Sequence, residues 1–128
     1  MAAGDPFSGA ERAALDGAIR KAEQLSRAEF SVFVGKAEGE PRVFATQLHN
    51  SLVAPARSIL IMVDPGMRVI EVVTGAYVRR TLSDNEVELA IIAMQTAFAE
   101  GDLVGGLRRG IALLADHARS PQTLHAQD

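Results

Sequence analysis

The side chains best suited to chemistry in this chain are three arginines and a tyrosine: Arg57, Arg79, Arg80 and Tyr77. Guanidinium groups bind carboxylates and phosphates through charge-assisted hydrogen bonds. Asp84 begins a predicted helix, whose first turn offers free backbone N–H groups and the positive end of the helix dipole. Together these residues predict a site for an anion such as a phosphate or a carboxylate.

Simpler interpretations of the same residues stay open. Arg79 and Arg80 could be solvated surface charges in a loop, and Tyr77 could be a half-buried aromatic with its hydroxyl in water. Glu29 could pair with Arg57 in a surface ion pair, which contributes only about 0–1 kcal/mol to stability. The residue types alone therefore do not separate a binding site from an ordinary polar surface.

Sequence patterns that carry catalysis are absent. The three histidines lie far apart and show no zinc-ligand spacing, and the chain has no cysteine, which excludes disulfides and Cys-ligated metals. No Gly-x-Ser-x-Gly motif is present, and the glycine-rich run Gly101–Gly106 lacks the Gly-Lys-Ser/Thr ending of a phosphate loop. We therefore name no catalytic residue, and any metal ligands stay unknown.

Composition restricts the classes of partner. The 128 residues carry a net charge of −3 and no basic cluster longer than two residues, which argues against nucleic-acid binding. No apolar run approaches the roughly 20 residues of a membrane span, and Met1–Pro6 is too short and too polar for a signal peptide. We expect a soluble cytoplasmic domain, although a domain cut from a membrane-attached protein would have the same composition.

The residues from Ser58 to Gly75 predict the centre of the fold. Ile59–Val63 is apolar at every position, so this strand must be covered on both faces, as in a layered α/β domain. Pro65-Gly66 is a turn signal, and Arg68–Thr74 is a second β-rich run. The pattern predicts a β-hairpin whose first strand is fully buried.

Hydrophobic periodicity predicts the elements before the hairpin. Apolar residues at helical spacing, Leu25 among them, indicate a first helix that ends near Ser26. Glu29–Val34 alternates and is rich in β-branched and aromatic residues, which is typical of a strand. A second, shorter helix follows, with Val43 and Leu52 on its apolar face.

Capping residues predict the helices at the other end of the chain and complete the order of elements. Ser8 and Ser83 each open a helix with a capping box, and Asp102 can cap a last helix that contains Gly106 and Gly110. The predicted order α-β-α-β-β-α-α indicates an α/β fold, a three-layer α/β/α sandwich with a mixed sheet of three to four strands. We expect a flexible lead over residues 1–7, a single domain over residues 8–119 and a disordered tail over residues 120–128.

Strand directions in this order place polar residues at both ends of the sheet, because a parallel crossover followed by a hairpin fixes which strand ends meet. One end holds Glu29, Arg57, Gly75 and Tyr77, with Asp84 able to close over it. The opposite end holds Gly35, Lys36, Asp64 and Arg68. That opposite end lies at the carboxyl ends of the parallel strands, where open α/β sheets usually bind ligands.

Several segments, taken in order, carry a family resemblance. They are Phe7–Leu15 with Ala28–Val32, the hairpin Ile59–Val63 with Arg68–Thr74, and Leu82–Asp84 with Phe98–Asp102, Gly106 and Gly110. Over roughly residues 7–118 the chain resembles the TPM domain, an α/β domain associated with photosystem repair and found in many bacterial membrane-attached proteins. It looks like a small, soluble, actinobacterial-type member. The resemblance implies the same three-layer fold, and either acid phosphatase activity with a divalent metal or a role in complex assembly or repair.

The chain departs from the TPM pattern where a metal would bind. The family usually has an acidic residue and a glycine before the central strand, and here Ala56-Arg57-Ser58 stands instead. After the third strand Gly75-Ala76-Tyr77 stands where the family usually has Gly-Tyr-Gly. These changes weaken the Ca²⁺ or Mg²⁺ site that the resemblance implies.

Three functions from different classes follow. We favour a non-catalytic protein-interaction or assembly module, whose partner could be membrane-associated. Either the arginine-bearing end or the apolar flank of the predicted Val87–Phe98 helix would engage that partner. One alternative is a divalent-metal-assisted acid phosphatase, which the resemblance implies with Glu29, Asp84 and Glu71. The other is a small-anion binding domain built on the arginines. We place the site at the Arg57 end because most of the family-like residues fall there. The candidate binding residues are Glu29, Arg57, Gly75, Tyr77, Arg79, Arg80 and Asp84.

Overall fold

The computed structural model describes residues 6–119, and the predicted order of helices and strands is confirmed there. The helices are α1 (Gly9–Ser26), α2 (Pro41–Asn50), α3 (Asp84–Ala99) and α4 (Leu103–Ala118), and the strands are β1 (Glu29–Val34), β2 (Ser58–Asp64) and β3 (Val69–Thr74). Two short 3₁₀ helices, Pro55–Arg57 and Val78–Arg80, precede β2 and α3. The predicted tail and most of the predicted lead, residues 120–128 and 1–5, lie outside the described residues.

The three strands form one mixed sheet in the order β1-β2-β3. β1 runs parallel to β2, and β3 returns antiparallel through the predicted Pro65-Gly66 turn. Every residue of β2 is buried, as its unbroken apolar run predicts for a central strand that is covered on both faces. Arg68, in the turn, has a positive φ of 56°, and β3 begins one residue later than predicted.

Successive residues of β2 point to two separate cores, which confirms the three-layer arrangement. Ile59 and Ile61 pack in a cluster with side chains of α1, α3 and α4. Leu60 and Met62 pack in a smaller cluster with side chains of α2. Three helices therefore cover one face of the sheet and a single helix covers the other.

Two glycines of α4, Gly106 and Gly110, have a packing role. A Cβ on Gly106 would lie 2.5 Å from the ring of Phe98, and a Cβ on Gly110 would lie 2.5 Å from the sulfur of Met94. Both neighbours belong to α3, so the glycines let the two helices approach closely.

The short helix α2 differs from its prediction. It begins at Pro41, which fits the first helical position because the missing N–H has no helical partner there, and Glu40 caps it by accepting the Val43 N–H at 2.9 Å. It ends at Asn50, so Leu52 lies beyond it. Val43 is 54% exposed, because the one-sided contact of α2 with the sheet does not reach that position.

Among residues 6–119, none of the helices combines the length and the apolar character that crossing a membrane requires.

Candidate functional site

Strand register brings the predicted site residues to one end of the sheet. Glu29 of β1 pairs with Ser58 of β2, which directly follows Arg57. Ile59 pairs with Thr74, the last residue of β3, and Gly75 comes next. The start of β1, the start of β2 and the end of β3 therefore meet, and the loop after Gly75 begins at that end.

This loop is held tightly against the 3₁₀ helix that precedes β2. The Gly75 N–H donates to Ser58 O at 3.0 Å, and the Tyr77 N–H donates to Ala56 O at 2.9 Å. A Cβ on Gly75 would lie only 2.1 Å from Pro55 O, so no other residue fits without a backbone shift. The close approach fixes the position of Tyr77 relative to Arg57.

Two arginines lie over the ring of Tyr77. The guanidinium carbon of Arg57 is 4.4 Å from the ring centroid, and that of Arg80 is 4.7 Å away. Each distance is within the range of a cation–π contact, worth roughly 0.5–1 kcal/mol at an exposed site. Tyr77 is 42% exposed and both arginines are exposed. We call Arg57, Tyr77 and Arg80 the Arg–Tyr–Arg cluster.

The positive charges of this end have no internal counterion. Within residues 6–119, Arg57, Arg79 and Arg80 form no ion pair with a carboxylate. The surface ion pair considered between Glu29 and Arg57 is therefore not formed, and Glu29 stays exposed at the start of β1. The cluster thus presents two oriented guanidinium groups that no carboxylate of residues 6–119 pairs with.

Arg79 has a different role from its neighbour Arg80. Its Nη1 donates to the backbone oxygen of Thr74, at the end of β3. It also lines a groove of about 390 Å³ between α2 and the end of β3, together with Arg42, Thr46, His49, Asn50, Thr74 and Gly75. Arg42 is anchored in a similar way, because its Nη1 donates to Val72 O at 2.8 Å and to Glu71 Oε1 at 3.2 Å.

His49 contributes to this groove, and sequence reasoning missed it because an isolated histidine gives no signal by spacing. It is buried, and its Nε2 lies 2.9 Å from Ser58 O. Since a carbonyl oxygen can only accept, Nε2 carries a proton and donates to it. The histidine thereby ties α2 to the first residue of β2, next to the Arg–Tyr–Arg cluster.

The carboxylates of the predicted site do not converge. Asp84 is exposed at the first residue of α3, where Ser83 and Glu86 already form the capping box. In the part of the chain that the structure describes, no hydrogen bond or ion pair joins Asp84 to an arginine, and no three His, Asp or Glu side chains are grouped so as to hold a metal ion. The residues present therefore do not fit the calcium or magnesium site that the TPM resemblance implies.

Asp64, at the opposite end of the sheet, has a structural role. It is buried, and its two carboxylate oxygens accept the Ala37 N–H at 2.9 Å and the Met67 N–H at 3.1 Å. The hydrogen bond from Ala37 lowers the pKa of Asp64 below its usual value and outweighs the opposing effect of burial. Nearby, a largely apolar cavity of about 420 Å³ opens between β3 and α3, with Phe98 and Ile70 in its wall.

Comparison with protein families identifies a match over most of the chain. The family described as "Domain of unknown function (DUF5130)" matches residues 1–115. Two uncharacterized proteins of Mycobacterium tuberculosis, from strains CDC 1551 and H37Rv, are each 29% identical over 110 residues, which is 86% of this chain. The chain spans 66% of the length of these curated relatives.

Solved structures share the fold at low sequence identity. The NMR structure of the BA42 protein from Bizionia argentinensis has a TM-score of 0.79 at 20% identity, covering 89% of this chain and 82% of its own. The N-terminal domain of a protein from P. gingivalis has a TM-score of 0.72 at 18% identity, covering 91% and 83%. The N-terminal domain of the cg2496 protein from Corynebacterium glutamicum has a TM-score of 0.71 at 14% identity, covering 92% and 79%.

Proposed function

The chain belongs to the DUF5130 family, whose domain has no known function, and we propose that it is a non-catalytic binding module that engages an acidic segment of a protein partner. The observation that carries this proposal is the Arg–Tyr–Arg cluster, in which two guanidinium groups lie over one exposed tyrosine ring and neither forms an ion pair with a carboxylate of residues 6–119. Tyrosine and arginine are the residue types that most often dominate binding energy at protein interfaces.

Stacking on Tyr77 prepares both arginines for binding. A guanidinium that is held over a ring loses less conformational entropy when it meets a carboxylate than a freely rotating side chain does. The planar fork of Arg57 or Arg80 can then donate two hydrogen bonds to one carboxylate. The tightly packed loop at Gly75 keeps the tyrosine in place, so the binding surface is already formed before the partner arrives.

A phosphatase receives less support from the geometry. Metal-assisted phosphoryl chemistry needs carboxylates grouped around the ion, whereas Glu29 and Asp84 are separate and Glu71 is engaged by Arg42. The TPM resemblance implies either a phosphatase or an assembly role, and the ungrouped carboxylates favour the assembly role. We accordingly propose that this chain is a distant relative of the TPM domain and that its partner is a protein, which could be membrane-associated.

Small-anion binding is the second candidate, and the groove beside the cluster favours it. Arg42 and Arg79 are both anchored to backbone oxygens of β3, which leaves their other N–H groups available to the groove between them. Thr46 and Asn50 add neutral polar groups to its lining. A phosphate or a single carboxylate would have to bind between the two arginines for this candidate to hold.

Intrinsic fluorescence offers a direct test, because Tyr77 is the only tyrosine of the chain and there is no tryptophan. We would titrate the protein with a short oligoglutamate peptide, with an oligolysine peptide and with inorganic phosphate, and follow the emission of Tyr77. We expect the oligoglutamate peptide to bind, with an affinity that falls as salt screens the charges. Arg57→Gln with Arg80→Gln should weaken that binding about tenfold or more, since a hydrogen bond to a charged group contributes about 1.5–3 kcal/mol.

Arg108→Gln with Arg109→Gln is the matched control, because it removes two adjacent exposed arginines on α4, away from the cluster. If the control weakens the oligoglutamate affinity as much as the cluster variant, nonspecific attraction explains the binding and the proposal is overturned. No binding of oligoglutamate overturns it too. Phosphate binding that is lost in Arg79→Gln, with no response to oligoglutamate, would establish the second candidate instead.

A further inference from the structure

The two edge strands of the sheet are β1 and β3. In each of them, the backbone groups of successive residues point alternately toward β2 and away from it. Gly35, which directly follows β1, donates its N–H to Val63 O of β2. The N–H of Phe30, within β1, points outward instead and donates to Glu23 Oε2 at 3.0 Å. Alternation therefore also turns the N–H and C=O groups of Val32 and Val34 outward.

The edge at β3 is blocked by side chains. The outward carbonyls of Val72 and Thr74 accept hydrogen bonds from Arg42 and Arg79. Charged side chains that occupy the outward backbone groups prevent another strand from pairing there, which is a common protection of edge strands.

The edge at β1 has no such protection at its centre. Outside the β1–β2 ladder, no hydrogen bond from residues 6–119 reaches the backbone groups of Val32 or Val34. A groove of about 470 Å³ runs along this edge, and its other side is lined by Pro6 and Phe7 and by Arg12, Leu15, Asp16 and Ile19 of α1. From Phe30 to Val34 the strand carries no charged residue, no proline and no bulge. An edge strand of uncharged residues whose outward backbone groups are unpaired is suited to pairing with another strand.

We propose that β1 pairs antiparallel with β1 of a second copy of this chain, joining two three-stranded sheets into one six-stranded sheet. This inference does not depend on the proposed function, which uses the Arg57 end of the sheet and not the β1 edge. Antiparallel pairing of identical strands is a two-fold contact and closes on itself, so it yields a dimer and not a fibre.

The positions of the outward groups select one register for this pairing. Residues with outward groups must face each other, and the longest overlap places Val32 opposite Val32 and Phe30 opposite Val34 of the second copy. The Phe30 N–H can stay with Glu23, while Phe30 O accepts from Val34 of the second copy. Along the paired strands themselves like charges do not face each other, because Glu29 of one copy lies near the Gly35-Lys36 segment of the other, where the only charge is positive.

The absence of cysteine allows a test that is specific for this register. Val32→Cys places two thiols opposite each other on the two-fold axis, with Cα atoms about 5.5 Å apart, within the usual range of about 4.4–6.8 Å for a disulfide. Val53→Cys is the matched control, because Val53 is 99% exposed and its thiol can react only by random collision. We expect Val32→Cys to form disulfide-linked dimers much faster than Val53→Cys under mild oxidation, and its unfolding midpoint to rise when oxidised.

The unmodified chain supplies the second measurement. Light scattering after size exclusion, from about 1 µM to about 1 mM protein, covers the range in which a weak dimer assembles. We expect a concentration-dependent dimer that Val32→Pro abolishes while the far-UV circular dichroism stays unchanged, because the Val32 N–H makes no bond to β2. A monomer throughout this range, with equal oxidation rates for the two cysteine variants, would show that β1 does not pair with itself. A dimer that survives Val32→Pro would place the contact elsewhere and also overturn the proposal.

Discussion

The two ends of the sheet differ in how their charged groups are satisfied. At one end, Arg57 and Arg80 lie over an exposed tyrosine and form no ion pair within residues 6–119. At the other end, Asp64 is buried and both of its oxygens accept backbone N–H groups. A charge that the fold already satisfies stabilises the fold, whereas an oriented charge that only water satisfies remains available for a partner. The comparison therefore gives Asp64 a structural role and supports the proposal that the Arg57 end binds a partner.

Removing Asp64 should have the largest effect on stability. Asp64→Ala deletes two charge-assisted hydrogen bonds and leaves the N–H groups of Ala37 and Met67 without their acceptor, so we expect a clear loss in the free energy of unfolding. Urea unfolding measures it, with the exposed Asp16→Ala as the control. If the two variants lose the same stability, Asp64 does not have the structural role that we give it.

A change at Gly75 should come next, since it alters the loop that carries Tyr77. Gly75→Ala forces a Cβ against the backbone oxygens of Pro55 and Ala56, so we expect a loss of about 1–3 kcal/mol and a weaker contact between Tyr77 and Arg57. Gly17→Ala is the control: it lies inside α1 with only ordinary contacts and should stabilise the protein by about 0.5–1 kcal/mol. A tolerated Gly75→Ala would mean that the loop is not held as tightly as the distances indicate.

The pH dependence of the free energy of unfolding should also distinguish the two ends of the sheet, with a smaller effect. The pKa of Asp64 is lowered in the folded protein, so its contribution is fully present above the unfolded pKa of about 3.9 and is lost as pH falls through the lower folded pKa. We expect unfolding free energies measured between about pH 6 and pH 3 to fall less steeply for Asp64→Asn than for the unmodified protein. The cluster variant Arg57→Gln should retain the full acid dependence, and a parallel loss in both variants would contradict this assignment.

The smallest effect on stability is expected at the cluster itself. Arg80→Gln changes an exposed side chain and removes one cation–π contact, so its free energy of unfolding should lie within about 0.5–1 kcal/mol of the unmodified value. The same substitution should still reduce binding of the oligoglutamate peptide. A large loss of stability would show that the cluster also stabilises the fold, and the two ends would then not differ in this respect.

Most of the architecture could be predicted from the sequence because its signals act over a few residues. The capping boxes at Ser8 and Ser83, the Pro65-Gly66 turn and the unbroken apolar run of β2 each determine a local conformation, and their order leaves few topologies. Such local signals predicted neither the 42% exposure of Leu25 nor the end of α2 at Asn50. Burial at the margin of a helix depends on the neighbour it packs against.

The candidate site was predictable only in its location. Strand order places Glu29, Arg57 and Gly75 at one end of the sheet, as expected from a parallel crossover followed by a hairpin. The sequence held no sign that His49 reaches Ser58 O, or that Glu29 forms no ion pair with Arg57. Side-chain contacts between distant segments depend on helix placement to within an ångström, which periodicity does not specify.

The sequence by itself determined the order of the elements, the buried central strand and the end of the sheet where the arginines gather. Only the tertiary structure decided that Tyr77 is shared by Arg57 and Arg80, that both carboxylate oxygens of Asp64 accept backbone N–H groups, and that arginines occupy the outward carbonyls of β3. The physical reason is range: backbone propensity and patterning act within an element, whereas cation–π contacts, buried hydrogen bonds and edge protection arise when separate elements pack together.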